Sequence, residues 1–312
     1  MDLERFDRQL LLFGREGQEK IAATRVAIVG LGGIGSHVAQ QLAYLGVRRF
    51  ALLDGDVVTI SNLNRHIGST EEDVARATPK VQVVARTIRS LDPSAEIVQV
   101  DDSFVTPAGF AALADSQVIF GCVDRDGARL LLTEFACAYD QPYFDLATDT
   151  SDDEQRVGFG GRLMIRTSEQ GCAYCLDLLD LEEVRRDLSS VERRAEEYAM
   201  YGVPPDALDQ RGPSIVSLNG ILASLAVMEF ILFITGIARP PKRLLRYDGL
   251  RGVVIESKDQ PRPGCPYCAQ IGKGAAVDWL RHVRARRLAA QPERRSRVAN
   301  GSRAESSSLS SR

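Results

Sequence analysis

Two cations and an acid follow a glycine turn in this chain: Arg65 in SNLNR, Lys80 in TPK and Asp124 in FGCVD. Guanidinium and ammonium groups neutralise phosphate oxygens, and a carboxylate beside them can hold Mg2+ on those oxygens. The turn itself, VAIVGLGGIGS, places Gly30, Gly32 and Gly35 as G-x-G-x-x-G between a strand-like and a helix-like run. Lacking side chains, its backbone can turn tightly and approach phosphate, whose charge meets the helix N-terminus. Asp54, in LLDGD, follows roughly 20 residues further on, where a carboxylate accepts hydrogen bonds from ribose hydroxyls. The glycines and Asp54 alone would suit a dinucleotide oxidoreductase. Nicotinamide chemistry has no use for the later cations and acid, whereas a triphosphate with Mg2+ does.

A second constellation is sulfur. Four of the six cysteines form two near-identical turns, GCAYC (Cys172, Cys175) and GCPYC (Cys265, Cys268). Two such turns supply four thiolates to a tetrahedral Zn2+, however far apart they lie in the chain. Cys122 and Cys137 fall on apolar positions and read as core residues.

The elements that hold these groups read as alternating strands and helices. Strands are expected at Arg25 to Gly30, Arg49 to Leu53, Glu96 to Val100, Gln117 to Cys122 and Pro142 to Leu146. Helices are expected at Ile34 to Leu45, Lys80 to Ser90 and Gly127 to Tyr139. That alternation predicts an α/β fold, a Rossmann-like, doubly wound, mostly parallel sheet. Beyond it, Gly161 to Arg166, Arg243 to Tyr247 and Gly252 to Ser257 read as an antiparallel extension of the same sheet, carrying the zinc knuckles. The chain divides into an arm (1–24), a nucleotide-binding half (25–150), the extension with a charged helix and the knuckles (151–270), and a tail (271–312).

With 312 residues, 44% of them hydrophobic, and a net charge of -3, the chain suits a soluble protein with a sizeable core. Its charged beginning carries no apolar stretch of secretory length, so a cytoplasmic location is expected. The apolar run Ile215 to Ile237 contains Asn219 and Glu229 and reads as a buried helix, not a membrane span. Asp180 to Met200 is dense in both charges and reads as an exposed helix with intrahelical ion pairs. From Arg281 to Arg312 nine arginines face two acids, giving the tail +7 and the body -10. That composition predicts a solvated, disordered tail, with no nucleic-acid partner expected.

The order RFDRQ, GLGGIGS, LLDGD, SNLNR, TPK and CVD, followed by the two CxxC pairs, resembles the ThiF/MoeB/HesA adenylyltransferases, the family that includes ubiquitin-activating enzymes. The resemblance covers about Arg5 to Cys268. It implies ATP-dependent adenylation of the C-terminal glycine of a small ubiquitin-like or sulfur-carrier protein, by a homodimer. By the resemblance, Gly33 and the other turn glycines lie against the phosphates, Asp54 binds ribose, and Asp56 shares the nucleotide site. Asn62, Arg65 and Lys80 would bind the phosphates, and Asp124 would hold Mg2+. Arg8, in RFDRQ, would reach the triphosphate from the other subunit, and the four cysteines would bind zinc away from the ATP.

The chain departs from the family at one point. Many members keep a nucleophilic cysteine in the loop before the long apolar helix, but Leu176 to Gly264 contains no cysteine. An enzyme that stops at the acyl-adenylate, and yields it to an external nucleophile, is therefore expected. Three alternatives stay open: adenylation of a short ribosomal peptide in antibiotic-like biosynthesis, an NAD(P)-dependent oxidoreductase, and a non-catalytic nucleotide-binding adaptor.

Overall fold

Strands buried on both faces read as continuous apolar runs, and the segments RVAIV and RFALL do so. They form β1 (Arg25–Val29) and β2 (Arg49–Leu53), which pair in parallel within one eight-stranded sheet. The structure, a computed structural model, describes residues 4–153, 156–167, 171–189, 214–269 and 271. The other strands are β3 (Glu96–Val100), β4 (Val118–Gly121), β5 (Tyr143–Asp153), β6 (Arg156–Arg166), β7 (Leu244–Asp248) and β8 (Val253–Glu256). Their order is β3-β2-β1-β4-β5-β6-β7-β8. The first five are mutually parallel and the last three are added antiparallel, as the pattern of the sequence predicts.

Helices cover both faces. α1 (Asp7–Ala23), α2 (Gly33–Leu45), α4 (Lys80–Leu91) and α8 (Val216–Thr235) enclose one core, where Val38, Leu42, Ile88 and Phe230 meet Ile28 and Phe120. α5 (Pro107–Ala114), α6 (Asp126–Tyr139) and α7 (Leu181–Leu188) enclose the other, around Leu113, Phe135, Val184 and Met164. A short α3 (Glu71–Ala75) is capped by Thr70 and tied to α4 by the Arg86–Asp73 ion pair.

α8 is apolar and long enough to cross a membrane by length and composition, but half of it is buried here. Its Glu229 is buried too, taking Arg239 Nη2 at 2.5 Å and the Lys242 amide at 2.9 Å, so the carboxylate inside the apolar run is paired.

Strands β1 to β4 and helices α2, α4 and α6 fall within one residue of the predicted bounds. The antiparallel part differs more. β5 and β6 are each 11 residues long and pair from Tyr143↔Arg166 to Asp153↔Arg156, past the boundary expected at 150. The sequence places the end of this strand at Leu146, and pairing with β6 carries it on to Asp153.

The charged helix also differs from its expected solvated face. α7 keeps an intrahelical Arg185–Glu182 pair at 3.0 Å, but Val184 is buried and the helix packs on α6. α7 ends at Leu188, short of the helix expected to Met200; residues 190–213 and the tail from 272 lie outside the described residues.

Candidate active site

Three of the five parallel strands bring candidate residues to one edge of the sheet. β1 runs into Gly30, β2 into Asp54, and β4 into the turn carrying Asp124. β2 and β4 flank β1 on opposite sides, so the connections diverge there and leave a crevice, the place where open α/β sheets bind ligands. A cavity of about 480 Å³ occupies it, lined by Gly30, Gly32, Gly33, Asp54, Asp56, Asn62, Arg65, Lys80 and Asp124. Nine predicted residues thus share one site.

The glycine turn is shaped by close contacts. Gly30 has φ +82, and a Cβ there would come within 2.7 Å of the Cys122 carbonyl oxygen, so β1 can bend beside β4 only without a side chain. A Cβ on Gly33 would lie 2.1 Å from Asn219 Nδ2. Gly35 does not line the cavity; a Cβ there would meet the Gly30 carbonyl oxygen at 2.0 Å, so its job is packing α2 against the turn.

Asp54 ties this turn to β2. Its Oδ2 accepts the Leu31 amide at 2.6 Å and its Oδ1 the Asp56 amide at 2.8 Å. Burial pushes its carboxyl upward, and the Lys80 charge pulls the other way. Lys80 opens α4, buried, with Nζ 2.7 Å from Asp56 Oδ2 and 3.8 Å from Asp54 Oδ1. Asn62 spends its carbonyl oxygen on the Thr59 amide at 3.0 Å, which leaves its NH2 as the donor it can offer. Arg65 is half-buried, held by the Ser61 carbonyl and by Asn64 Oδ1.

Asp124 is exposed at the rim and is not spent as the cap of α6. Asp187 of α7 takes that duty, its Oδ2 accepting the Gly127 amide at 3.0 Å and its Oδ1 pairing with Arg125 at 3.1 Å. α7 also brings Glu183 to the cavity, where burial raises its carboxyl. Arg8 lies on the exposed side of α1 and does not line the cavity of its own chain.

Several cavity residues escaped the sequence reading. Asn219 is buried on the first turns of α8, donating to Ser214 Oγ at 3.1 Å, and both line the cavity. In the sequence it appears only as a polar break in an apolar run. His66 is buried with Nδ1 2.8 Å from Ser69 Oγ, and burial followed by the Lys80 charge lowers it to about 4, so it is neutral. Its position next to Arg65 was the only signal available.

The cysteines form a separate centre. The Sγ atoms of Cys172 and Cys175, of Cys172 and Cys265, and of Cys175 and Cys268 are each 3.7 Å apart. All four lie within 4.8 Å of one another, and none lines the cavity. Sulfurs bound at about 2.3 Å to a tetrahedral Zn2+ sit about 3.8 Å apart, so these residues fit the ion. The Cys172 amide reaches Cys175 Sγ at 3.2 Å, and Tyr174 and Tyr267 close the outside edge-to-face at 4.9 Å. Cys137, read as core, is buried against this cluster. Such a closed set of four sulfurs has no open position for a substrate and suits a structural ion.

The ThiF family matches residues 6–267. The chain is 31% identical over 271 residues to the sulfur carrier protein ThiS adenylyltransferase of Escherichia coli (strain K12), covering 86% of this chain and 95% of that one. It is 30% identical over 275 residues to the molybdopterin-synthase adenylyltransferase of the same bacterium, covering 86% and 97%. Among solved structures, the microcin C7 biosynthetic enzyme MccB in complex with N-formylated MccA shares the fold, with TM-score 0.66 and 18% identity over 86% of this chain and 75% of that one. The glycine turn, the two cations and the strand-end acid thus sit in the chain of a ThiF-family protein, an adenylyltransferase of the ThiF/MoeB type.

Proposed function

We propose that this protein uses ATP to adenylate the C-terminal carboxylate of a small ubiquitin-like or sulfur-carrier protein, releasing pyrophosphate. The observation that carries the reading is the meeting of Arg65, Lys80 and Asp124 in one cavity with the glycine turn. The names of the two curated relatives support the substrate class.

The chemistry explains the cations. A carboxylate attacking an α-phosphate is anion on anion, so positive charge must offset it while more negative charge moves onto pyrophosphate. Arg65 and Lys80 supply that charge, and the N-terminus of α2 adds its dipole. The nucleophile is ionised at neutral pH, so no general base is needed, in keeping with a neutral His66. Mg2+ usually binds one or two carboxylates plus phosphates and water, and Asp124 suits that donor set. Bound there, it would neutralise phosphate oxygens. Asp54 would receive the ribose hydroxyls, and the apolar walls Val29, Leu53, Phe104 and Val123 offer a seat for the base.

The enzyme acts as a homodimer in this reading, with Arg8 serving the cavity of a second copy. Arg8 is exposed on α1 outside its own cavity, and Leu11 and Leu12 beside it are 83% and 64% exposed. Since 176–264 carries no thiol, the acyl-adenylate passes to an external nucleophile. That same absence favours a second substrate, a short peptide.

ATP–pyrophosphate exchange, screened against small proteins with free glycine termini and against short peptides, tests the reading. Exchange should appear with one class and fall about 100-fold or more in Asp124→Ala and Arg65→Ala, the usual cost of losing a transition-state charge partner. Undiminished exchange in either folded variant would remove the assignment.

A further inference from the structure

Asp124 stands on a four-residue turn between β4 and α6, with its own side chain exposed. The sheet holds this turn only as far as Cys122, whose amide donates to the Val29 carbonyl at 2.8 Å. Past that point the backbone has left the ladder, and the next carbonyl, Val123, must find a partner elsewhere.

Arg129 provides it from the first turn of α6. Its Nη2 donates to the Val123 carbonyl at 2.5 Å, and its Nη1 to Asp145 Oδ1 at 2.5 Å and the Leu146 carbonyl at 2.9 Å. Its Nε lies 3.5 Å from Asp126 Oδ1. One planar fork therefore joins the end of β4, the body of β5 and the start of α6. Asp145, fully buried, anchors the fork, and Tyr143 donates to the same Oδ1 at 2.9 Å. Arg162 Nη2 stands 3.6 Å from the other oxygen, Asp145 Oδ2. Arg129 itself is buried but borders the nucleotide cavity.

We propose that Arg129 is the positioning residue for Asp124, fixing the Val123 carbonyl so that the carboxylate is held in place for Mg2+ on the nucleotide. This rests on the reading of Asp124 as the metal-binding acid. Mg2+ demands near-ideal octahedral geometry and gives little tolerance to a ligand on a loose turn. A lysine at 129 would keep the charge but not the fork, and one ammonium cannot serve three divergent acceptors in that geometry.

Isothermal titration of the full chain with ATP, in Mg2+ and again in EDTA, tests this without a carboxylate substrate. Arg129→Lys should reduce the gain in affinity from Mg2+ about tenfold to a hundredfold, the usual effect of altering a group behind a metal ligand, while affinity in EDTA stays within about twofold. Asp145→Asn and Tyr143→Phe should reduce it progressively less, and they carry the test if thermal melting shows Arg129→Lys unfolded. An undiminished gain in the folded variants overturns the proposal. So does an equal loss in EDTA, which would make Arg129 a direct nucleotide contact. Asp124→Ala separates the two levels. If it keeps the Mg2+ gain, the reading of Asp124 fails and this proposal with it. If it abolishes the gain while Arg129→Lys leaves it intact, only the positioning role fails.

Discussion

The nucleotide cavity and the cysteine cluster are both assembled from distant parts of the chain, yet one is open and charged and the other largely buried. The cavity gathers Gly30, Asp54, Lys80 and Asp124 from the ends of separate strands and the start of a helix, and leaves Asp124 exposed. The cluster brings Cys172 to Cys265, 93 residues away, and buries both. The difference follows from what each must do. A site that exchanges substrates needs unspent donors and acceptors facing solvent, while a structural metal centre needs every ligand used and water kept out.

Removing zinc probes this contrast most strongly. Chelation, or Cys265→Ser, should cost roughly 5 kcal/mol or more of stability, lowering the melting midpoint by about 10 °C or more. Nucleotide affinity measured well below that midpoint should be unchanged. Calorimetry with metal analysis checks this, and an identical melt with and without metal would erase the distinction.

A smaller effect should come from His66, on the floor of the open site. Its folded value of about 4 lies below the ordinary 6.5 because of burial and then Lys80. Between those values the unfolded chain takes up a proton that the native state refuses. The contribution is fully present above about pH 6.5 and is lost as pH falls toward 4, by up to about 3 kcal/mol. Urea midpoints across that range should show the slope, and His66→Gln should flatten it. An unchanged slope in that variant would mean the imidazole is not held neutral.

The smallest effect expected is at the glycine turn. Gly33→Ala would press a methyl against Asn219 and should cost about 1–2 kcal/mol, weakening ATP binding. Adding Asn219→Ala should restore part of that loss, since the two sites share one contact. Strictly additive losses in titration calorimetry would mean that the contact between α8 and the turn does not shape the site.

The cavity was legible wherever a residue's role is local. Gly30, Asp54, Lys80 and Asp124 each mark a strand end or helix start, and strand–turn–helix order alone brings such ends to one edge. Arg65 marks neither, and was legible only by its place in the motif series. Asn219 was illegible, because an amide inside an apolar helix acquires a role only when α8 lies against α2. Asp187 was hidden as well. In a segment dense with both charges, nothing distinguishes the carboxylate that caps α6 from those that face water.

Taken by itself, the amino-acid order determined the alternation of strands and helices, the glycine turn, and each of the two CxxC turns, because each depends on spacing within a short stretch. Tertiary structure decided that Arg129 would grip the turn carrying Asp124, that α7 would dock instead of facing solvent, and that Gly33 would sit under Asn219. Those outcomes depend on which side chains meet across the sheet and between helices, and such contacts leave no periodic trace along the chain.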